Sequence, residues 1–289
     1  MALRGPPDDR PVDDLLEFGV VNLDKPPGPS AHQVAAWVRD MASVERAAHA
    51  GTLDPKVTGC LPMLLGDATR MAQVFDDSVK EYVAVLELHG SAPGDLESVL
   101  SEFEGEIYQK PPKKSAVVRR LRSREIHALD ALEVEERRAL LRVRCESGTY
   151  VRKLCHDLGL ALGTGAHMGH LRRTTTGSFD DTDLSSLYDL ADALAWADGG
   201  DSDPLRAVVE PAERALRHLP SATIAESAAR EVAEGAPVYA PGLIDIDDVT
   251  RGDLLVCYTP NEAAVCLGRL AGGPEADDGV VVELERVLV

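Results

Sequence analysis

The sequence contains no apolar run close to the roughly 20 residues that a membrane-spanning helix needs. Its N-terminus, MALRGPPDDRPVDDLLEF, also lacks the apolar core that a secretion signal requires. We therefore expect a cytoplasmic protein without membrane contact. The chain has 289 residues, of which 44% are hydrophobic and 27% charged. This is long enough for one large core plus a smaller domain.

Cysteine is scarce, and its distribution argues against two classes of protein. The five cysteines form no CxxC pair and are scattered between residues 60 and 266. Such an odd, scattered set predicts reduced thiols, not a disulfide framework or a zinc site. His156, His167 and His170 lie near Asp157 in the sequence, but their spacing fits no standard metal site. We therefore expect no bound metal.

Basic residues are few, and lysine is the rarer of the two. The chain has 30 lysines and arginines, only seven of them lysine, against 49 acids, which gives a formal net charge of −19. An acid-rich, lysine-poor surface suits a cytoplasm of high salt, where repulsion is screened within a few ångströms. An acidic mesophilic enzyme is the alternative. Such acidity normally counts against nucleic-acid binding.

One segment departs from this acidity. Residues 110–124, KPPKKSAVVRRLRSR, contain no acid. The basic residues of this segment are Lys110, Lys113, Lys114, Arg119, Arg120, Arg122 and Arg124. Most charge runs form a solvated face, but such a face in this chain would carry interspersed acids. The segment therefore favours contact with a polyanion, of which RNA and DNA are the usual ones.

The order of the elements predicts an α+β fold. Helical spacing follows the candidate cap Ser30, with Trp37 on the buried side, whereas residues 80–90 and 140–148 alternate as strands. These elements lack a regular βαβ rhythm, which indicates a mixed or antiparallel sheet. After a break rich in Asp, Gly and Ala at 191–206, short strand-like runs predict a small β-barrel. We expect the first 18 residues to be loosely held.

Asp54 lies in a bend of restricted geometry, within HAGTLDPKVTGCLPMLLGDATR (49–70). Gly51 and Gly59 permit tight backbone geometry, and Pro55 fixes the dihedral that follows the acid. The apolar flank predicts that the carboxylate sits over a core, away from bulk water. Such a group could be a nucleophile, a general base, a metal ligand or a turn cap. An Asp-Pro turn by itself is more often structural.

Five segments, in order, resemble the TruB family of pseudouridine synthases. They are GVVNLDKPPGPSAHQV, the bend at 49–70, KEYVAVLELHG, SGTYVRKLCHDLG and HLRRTTTGSF. PPKKSAVVRRLRSREIHALDALEVE is similar to the archaeal and eukaryotic dyskerin-like branch, the catalytic subunit of H/ACA guide-RNA particles. LPSATIAESAAREVAEGAPVYAPGL and TRGDLLVCYTPNEAAVCLGRL resemble the PUA domain of that branch, an RNA-binding barrel. Together with the composition, this resemblance points to a halophilic archaeon.

The resemblance implies a domain organisation and an activity. It divides the chain into an N-terminal extension (1–18), a catalytic domain (19–212) and a PUA domain (213–289). The implied enzyme is an isomerase that converts uridine in structured RNA to pseudouridine, with no cofactor or metal. The target base must first be flipped out of its stack.

The resemblance also implies roles for three residues of the active site. Asp54 matches the catalytic aspartate of the family, and Tyr82 matches the tyrosine that stacks on the target base. Arg152 matches the arginine that pairs with the aspartate and would keep it ionised and oriented. From the residues alone, Tyr82 could equally be a core tyrosine, and Arg152 could be a helix-surface arginine.

Three further residues are implied at the same site. Lys25 falls in the family's lysine-proline loop, which supports the floor of the site, although it could also be an exposed turn lysine. Leu171 corresponds to an apolar residue that lines the pocket. His49 lies where the family has a histidine near the flipped nucleotide, and we expect it to position that nucleotide.

Partners and substrates follow from the resemblance as well. The implied partner is RNA: ribosomal RNA selected by an H/ACA guide RNA, the T-loop uridine of tRNA, or both. A guide-dependent enzyme would need small partners, namely a Nop-type peptide, a Gar-type protein and a kink-turn binder. The rival interpretation is a non-catalytic RNA-binding scaffold. The joint presence of Asp54, Tyr82 and Arg152 favours the enzyme.

Overall fold

The computed structural model describes residues 3–111, 118–273 and 278–289. The strands are β1 Gly19–Lys25, β2 Ala47–His49, β3 Thr58–Leu65, β4 Lys80–Leu88, β5 Gly105–Gln109, β6 Arg122–Glu135, β7 Arg138–Cys145, β8 Ala166–Thr176, β9 Phe179–Asp180, β10 Glu210–Pro211, β11 Ser221–Ile224, β12 Val238–Tyr239, β13 Leu243–Ile246, β14 Leu254–Tyr258, β15 Ala264–Leu270 and β16 Val280–Val287. The α-helices are α1 Val12–Glu17, α2 Ala31–Met41, α3 Leu96–Ser101, α4 Val151–Ala161, α5 Leu187–Asp198, α6 Asp203–Val208 and α7 Glu226–Ala233. Short 3-10 segments span Pro7–Asp9, Gly66–Phe75, Ala212–Leu216 and Ala240–Gly242.

Strands β1 to β10 form one mixed sheet. Its main path is β10-β1-β3-β8-β4-β7-β6-β5, with β2 beside β3 and β9 beside β8. The pairs are antiparallel except for β3 with β8, which run in parallel and meet only where Thr58 and Gly59 face Arg172 and Arg173. This short parallel junction brings the end of the Asp54 bend against β8. The expected α+β fold with a mixed sheet is confirmed.

The remaining six strands form the small C-terminal domain. Their order is β12-β16-β15-β14-β11-β13, and the sheet curls almost into a barrel. Its interior is lined by small and β-branched residues such as Ala222, Val265 and Val281, each at most 1% exposed. The alternating runs that predicted a β-barrel correspond to β14, β15 and β16, so the second domain is also confirmed.

The main core lies on one face of the large sheet. Alternation along β4 buries Tyr82, Ala84 and Leu86, while helix α4 covers this face through Leu154 and Leu158. Glu81, Val83, Val85 and Glu87 point the other way and stay partly exposed. Within the described ranges, no helix is both long and apolar enough to cross a membrane.

Helix α2 begins as predicted and buries most of the expected face, with one exception. Ser30 caps it: its hydroxyl accepts a hydrogen bond from the Gln33 N–H, and the Gln33 side chain accepts one from the Ser30 N–H. The buried stripe is centred on Val34 and Val38, both 0% exposed. Trp37 is 46% exposed, so its expected burial is wrong. It lies at the rim of the stripe that Val34 and Val38 form.

The N-terminal extension is held firmly, which corrects the expectation of a loose segment. The Arg10 guanidinium is 2% exposed and donates two hydrogen bonds, of 2.8 and 2.6 Å, to the Glu213 carboxylate. The same carboxylate accepts a hydrogen bond from the Ala264 N–H at 3.1 Å. Composition conceals this role, because a proline- and aspartate-rich segment gives no sign of a distant partner. One buried ion pair thus ties the extension to the C-terminal domain.

The two domains share apolar contacts beneath that ion pair. Phe18 and Leu64 of the large domain belong to the same buried cluster as Val256, Leu267 and Leu288 of the small one. The break predicted at 191–206 is no linker, because α5 and α6 occupy it and pack on each other. The C-terminal domain is therefore attached through a continuous core.

All five cysteines are free and buried. Burial raises the pKa of the Cys60, Cys145 and Cys155 thiols to about 12. A thiol with so high a pKa stays protonated near neutral pH.

Replacing Glu213 by Leu should lower the free energy of unfolding by about 3–5 kcal/mol, because it leaves the buried Arg10 charge unpaired. Urea denaturation followed by circular dichroism measures this loss. The control is Asp40→Leu, which breaks an exposed pair with Arg39 and should cost at most about 1 kcal/mol. Equal losses in the two variants would contradict a stabilising role for the buried pair.

Candidate active site

Asp54 occupies the first position of a tight turn. The Val57 N–H donates a hydrogen bond to the Asp54 carbonyl at 3.0 Å, and Pro55 fills the second position, where its fixed dihedral fits. Leu53 and Val57, each 3% exposed, anchor the turn in the core. The Asp54 side chain itself is 54% exposed. The expectation that the carboxylate is shielded from water is therefore wrong: the apolar flank anchors the turn and leaves the acid at the surface.

Two glycines shape this bend. Gly51 and Gly59 have φ values of +85° and +96°, which other residues adopt only with strain. A Cβ at Gly59 would also lie 2.2 Å from the Arg173 carbonyl oxygen. The close junction of β3 and β8 therefore requires glycine at position 59.

Lys25 holds the turn from below. Its side chain is fully buried, and its ammonium group donates hydrogen bonds to the carbonyls of Pro26, Pro55 and Val57 at 3.0, 3.0 and 2.8 Å. Burial lowers the pKa of Lys25, and the charge of Asp54 opposes that shift. Lys25 is therefore not the exposed turn lysine that the residues alone allowed. It fixes the backbone on which Asp54 is mounted.

Arg152 reaches Asp54 from the first turn of α4. Its guanidinium donates a hydrogen bond to the Asp54 carboxylate, and both side chains are about half exposed, at 53% and 54%. The start of α4 is fixed by Gln109 at the end of β5: the Gln109 amide donates to the Tyr150 carbonyl and accepts from the Tyr150 N–H. Asp54 and Arg152, which are 98 positions apart in the sequence, thus form an ion pair that is partly exposed to solvent.

Tyr82 lies beneath this pair, on the face of β4 that α4 covers. The ring is 9% exposed, and burial raises the pKa of the phenol. The nearby positive charge of Arg173 opposes that shift, while the Asp54 charge adds to it. The ring therefore belongs to the core and also borders the site.

His49 ends β2 and pairs with a second histidine. Its Nε2 lies 3.4 Å from Nδ1 of His32, and the two rings are 4.8 Å apart and nearly perpendicular. Burial, with the nearby positive charge of Arg173 and the effect of His32, lowers the pKa of His49. The His49 Nδ1 atom is buried without a hydrogen-bond partner among the described residues.

Leu171 lines an open cleft of about 280 Å³ beside the turn. The cleft is lined by Pro27, Lys56, Thr58, Val83, Val85, His170, Leu171 and Arg172. Asp54, Tyr82 and Arg152 are not among these residues. Leu171 lies opposite Ala84 in the β4–β8 pair, so its side chain shares a face of the sheet with Tyr82, whereas Val83 and Val85 border the cleft from the other face.

The described ends of the basic segment approach the site. Lys110 directly follows Gln109 and is exposed, as are Arg119 and Arg120. Arg122 is half-buried, and Arg124, also in β6, lies against Gly148 in the loop before α4. Lys113 and Lys114 lie outside the described residues.

Two buried cations went unnoticed in the sequence. Arg173 is 1% exposed and donates hydrogen bonds to the carbonyls of Cys60, Ala50 and Gly51. Lys80 is 3% exposed and donates to the Phe75 carbonyl at 2.7 Å and to the Ser78 hydroxyl. One signal existed for Arg173: it lies two positions after Leu171 in a strand, so both side chains share a face.

The histidines that resembled a metal site are separated in the structure. His167 lies 3.0 Å from His89, whereas His156 contacts Asp157, which also binds Lys153. Among the described residues, no group of three or more His, Cys, Asp or Glu side chains could hold a metal ion.

Four family models match consecutive parts of the chain. They are the DKCLD domain at residues 5–35, the N-terminal domain of TruB family pseudouridylate synthases at 39–151, the tRNA pseudouridylate synthase B C-terminal domain at 152–217 and the PUA domain at 220–288. A probable tRNA pseudouridine synthase B of Haloarcula marismortui is 67% identical over 296 residues, which cover 100% of this chain and 94% of the relative. The chain belongs to the TruB family of pseudouridylate synthases.

More distant relatives of the synthase also match almost the whole chain. A probable tRNA pseudouridine synthase B of Methanopyrus kandleri is 46% identical, over 98% of this chain and 86% of the relative. The structure is similar to a chain of a Cbf5-Nop10-Gar1 complex, with a TM-score of 0.94 and 44% identity, over 99% of this chain and 90% of that one. A chain of an H/ACA RNP bound to a substrate RNA containing 2'-deoxyuridine gives 0.93 and 42%, over 99% and 90%.

Replacing Lys25 by Met should lower kcat for pseudouridine formation by about 100-fold, because the Asp54 turn loses its support and a small displacement of a reacting group is costly. KM should change less. Multiple-turnover kinetics over a range of RNA concentrations measures both parameters. The control is Lys153→Met, which removes a partly exposed lysine paired with Asp157. A normal kcat in the Lys25 variant would contradict the assigned role.

Lys80 should make stability depend on pH. Burial lowers the pKa of Lys80 from 10.5 to about 7, so above pH 7 the unfolded chain binds more protons than the folded one. Stability should therefore rise from pH 7 to 8.5, with Lys80 contributing up to about 1.4 kcal/mol per pH unit. Urea denaturation at several pH values should show this slope reduced in Lys80→Met and unchanged in Lys153→Met. Equal slopes in all three proteins would rule the effect out.

Proposed function

We propose that this synthase converts uridine to pseudouridine in structured RNA, with Asp54 as its catalytic carboxylate. The observation that carries the proposal is the Asp54–Arg152 ion pair on the turn held by Lys25. In a chain of the TruB family, such an exposed but rigidly mounted acid is a suitable group to meet a flipped-out nucleoside.

The reaction requires little besides a placed carboxylate. The bond between the ribose C1' and N1 of uracil breaks, and C1' bonds to C5 of the same base. C5 then releases its hydrogen as a proton, while N1 gains a proton, so the product is an isomer of the substrate. No electrons are gained or lost. Asp54 acts on the sugar or the base, either by a covalent bond or by stabilising charge as the glycosidic bond breaks.

The neighbouring side chains would bind the target nucleoside. Tyr82 offers the edge of an aromatic ring, and Leu171, on the same face of the sheet, offers an apolar wall. Arg152 orients the Asp54 carboxylate. The low pKa of His49 keeps its ring neutral near pH 7, which fits a role in positioning and not in carrying a positive charge.

The substrates are ribosomal RNA selected through an H/ACA guide RNA, the T-loop uridine of tRNA, or both. Similarity to chains of a Cbf5-Nop10-Gar1 complex and of an H/ACA RNP supports guide-dependent work with a Nop-type peptide and a Gar-type protein. A kink-turn binder is a further proposed partner. The names of the curated relatives support action on tRNA. Assays on tRNA and rRNA fragments, with and without guide RNA and partners, separate the two modes.

The remaining parts of the chain have supporting roles. An extension at 1–18 and a PUA domain at 213–289 would flank a catalytic domain at 19–212, and the basic residues Lys110, Lys113, Lys114, Arg119, Arg120 and Arg122 would contact RNA phosphates. The setting would be the cytoplasm of a salt-adapted archaeon. The acidic composition and the similarity to a Haloarcula protein support that setting.

Asp54→Asn should abolish activity, because the amide keeps the size of the side chain but is neither a nucleophile nor a charge. We expect release of tritium from RNA containing 5-tritiated uridine to fall by at least about 1000-fold. RNA binding and thermal stability should remain close to those of the wild type.

The matched control is Asp40→Asn, since Asp40 is also exposed and paired with an arginine, Arg39. This variant should keep full activity. Undiminished tritium release from Asp54→Asn would remove Asp54 from the mechanism. An inactive wild-type protein that still binds RNA, with its guide and partners present, would favour the non-catalytic scaffold.

A further inference from the structure

Three arginines surround one aspartate on the surface next to β2. Asp67 accepts hydrogen bonds from Arg4 and Arg46 at 3.1 and 3.2 Å, and Arg70 lies 3.0 Å from the same carboxylate. These three arginines come from the N-terminal extension, the loop before β2 and the 3-10 segment after β3. We call these four residues the Asp67 cluster.

The charge of the Asp67 cluster exceeds what its own structure requires. One carboxylate neutralises one guanidinium, so the cluster keeps two positive charges within a chain of net charge −19. The side chains of Arg46 and Arg70 are 48% and 33% exposed, so both are partly accessible to solvent. Arg4 is more enclosed, its guanidinium lies 4.3 Å from the centre of the Phe18 ring, and its Nε is buried without a partner among the described residues.

Such an arrangement suits an anion with several oxygens. An arginine presents several donors in a fixed plane, which matches the geometry of a phosphate. Asp67 holds the three planes together and offsets part of their mutual repulsion. Because the arginines are already oriented, less side-chain entropy is lost when a phosphate binds.

The Asp67 cluster has the candidate active site on one side and the C-terminal barrel on the other. Arg46 immediately precedes β2, and three residues further along that strand lies His49, a distance of about 10 Å in extended chain. On the other side, Arg4 donates a hydrogen bond to the carbonyl of Leu288, after the last strand of the C-terminal barrel. The cluster therefore lies between the candidate active site and the barrel.

We propose that the Asp67 cluster is a phosphate-binding site for the backbone of an RNA that extends from the C-terminal barrel towards Asp54. This inference rests on the proposed function, since the ligand is RNA bound for modification. Arg46 and Arg70 make the phosphate contacts, and Arg4 holds the cluster against the barrel.

The test is the double variant Arg46→Gln and Arg70→Gln, with RNA binding measured over a series of KCl concentrations at which circular dichroism shows folded protein. Loss of two phosphate contacts should raise Kd about tenfold or more. It should also reduce the slope of log Kd against log salt by about 1.4 to 1.8, since each contact contributes roughly 0.7 to 0.9.

Two further double variants serve as controls, one for the loss of exposed arginines in general and one that keeps the positive charges. Arg39→Gln with Arg138→Gln removes two exposed arginines that each pair with one acid, and should leave the slope unchanged. Arg46→Lys with Arg70→Lys keeps the charges and should preserve most of the slope. If the glutamine variant binds RNA with the wild-type Kd and slope, or if both glutamine variants lose the same amount, the cluster is structural only.

Activity separates this inference from the proposed function. At saturating RNA the Arg46→Gln, Arg70→Gln variant should keep the kcat of the wild type, with a raised KM, because the Asp67 cluster does not touch the reacting nucleoside. Failure of the proposed function would appear differently, as a wild-type protein that binds RNA and releases no tritium.

Discussion

A single buried ammonium group determines where the carboxylate of this site lies. Lys25 gives hydrogen bonds to three backbone carbonyls, two of them in the turn that begins with Asp54. Removing a charge from water costs several kcal/mol unless its donors are satisfied, and here three are. The turn is therefore specified by a side chain at the end of β1. Arg152, in the first turn of α4, completes an oriented ion pair with the Asp54 carboxylate.

The same reliance on buried cations extends beneath the site. Arg173 donates hydrogen bonds to carbonyls on both sides of the bend, and its charge lies near Tyr82. Arg10 joins the N-terminal extension to Glu213, which also accepts a hydrogen bond from Ala264 in the barrel. In a chain with few basic residues, several are thus used internally. The few that remain exposed therefore weigh more in any contact with RNA.

Local sequence patterns predicted the helices and strands well. They did not predict the contacts between segments that are distant in the sequence. The cap at Ser30 and the alternation in β4 depend on neighbouring residues, so the sequence was sufficient for them. The family resemblance brought Asp54 and Arg152 together. It did not reveal that the acid is exposed, nor that Arg10 meets Glu213, because such pairs depend on how distant segments pack. Trp37 was misplaced for a related reason: periodicity locates a stripe but not its edge.

The burial of every cysteine has a practical consequence. Cys60 and Cys145 lie inside the large domain and Cys257 and Cys266 inside the barrel, where alkylating reagents cannot reach a thiolate. A cysteine introduced at one surface position of either domain would then be the sole labelling site for a fluorophore or spin probe. The native cysteines would therefore not react with the label. For the same reason, oxidants in solution find no accessible cysteine thiol.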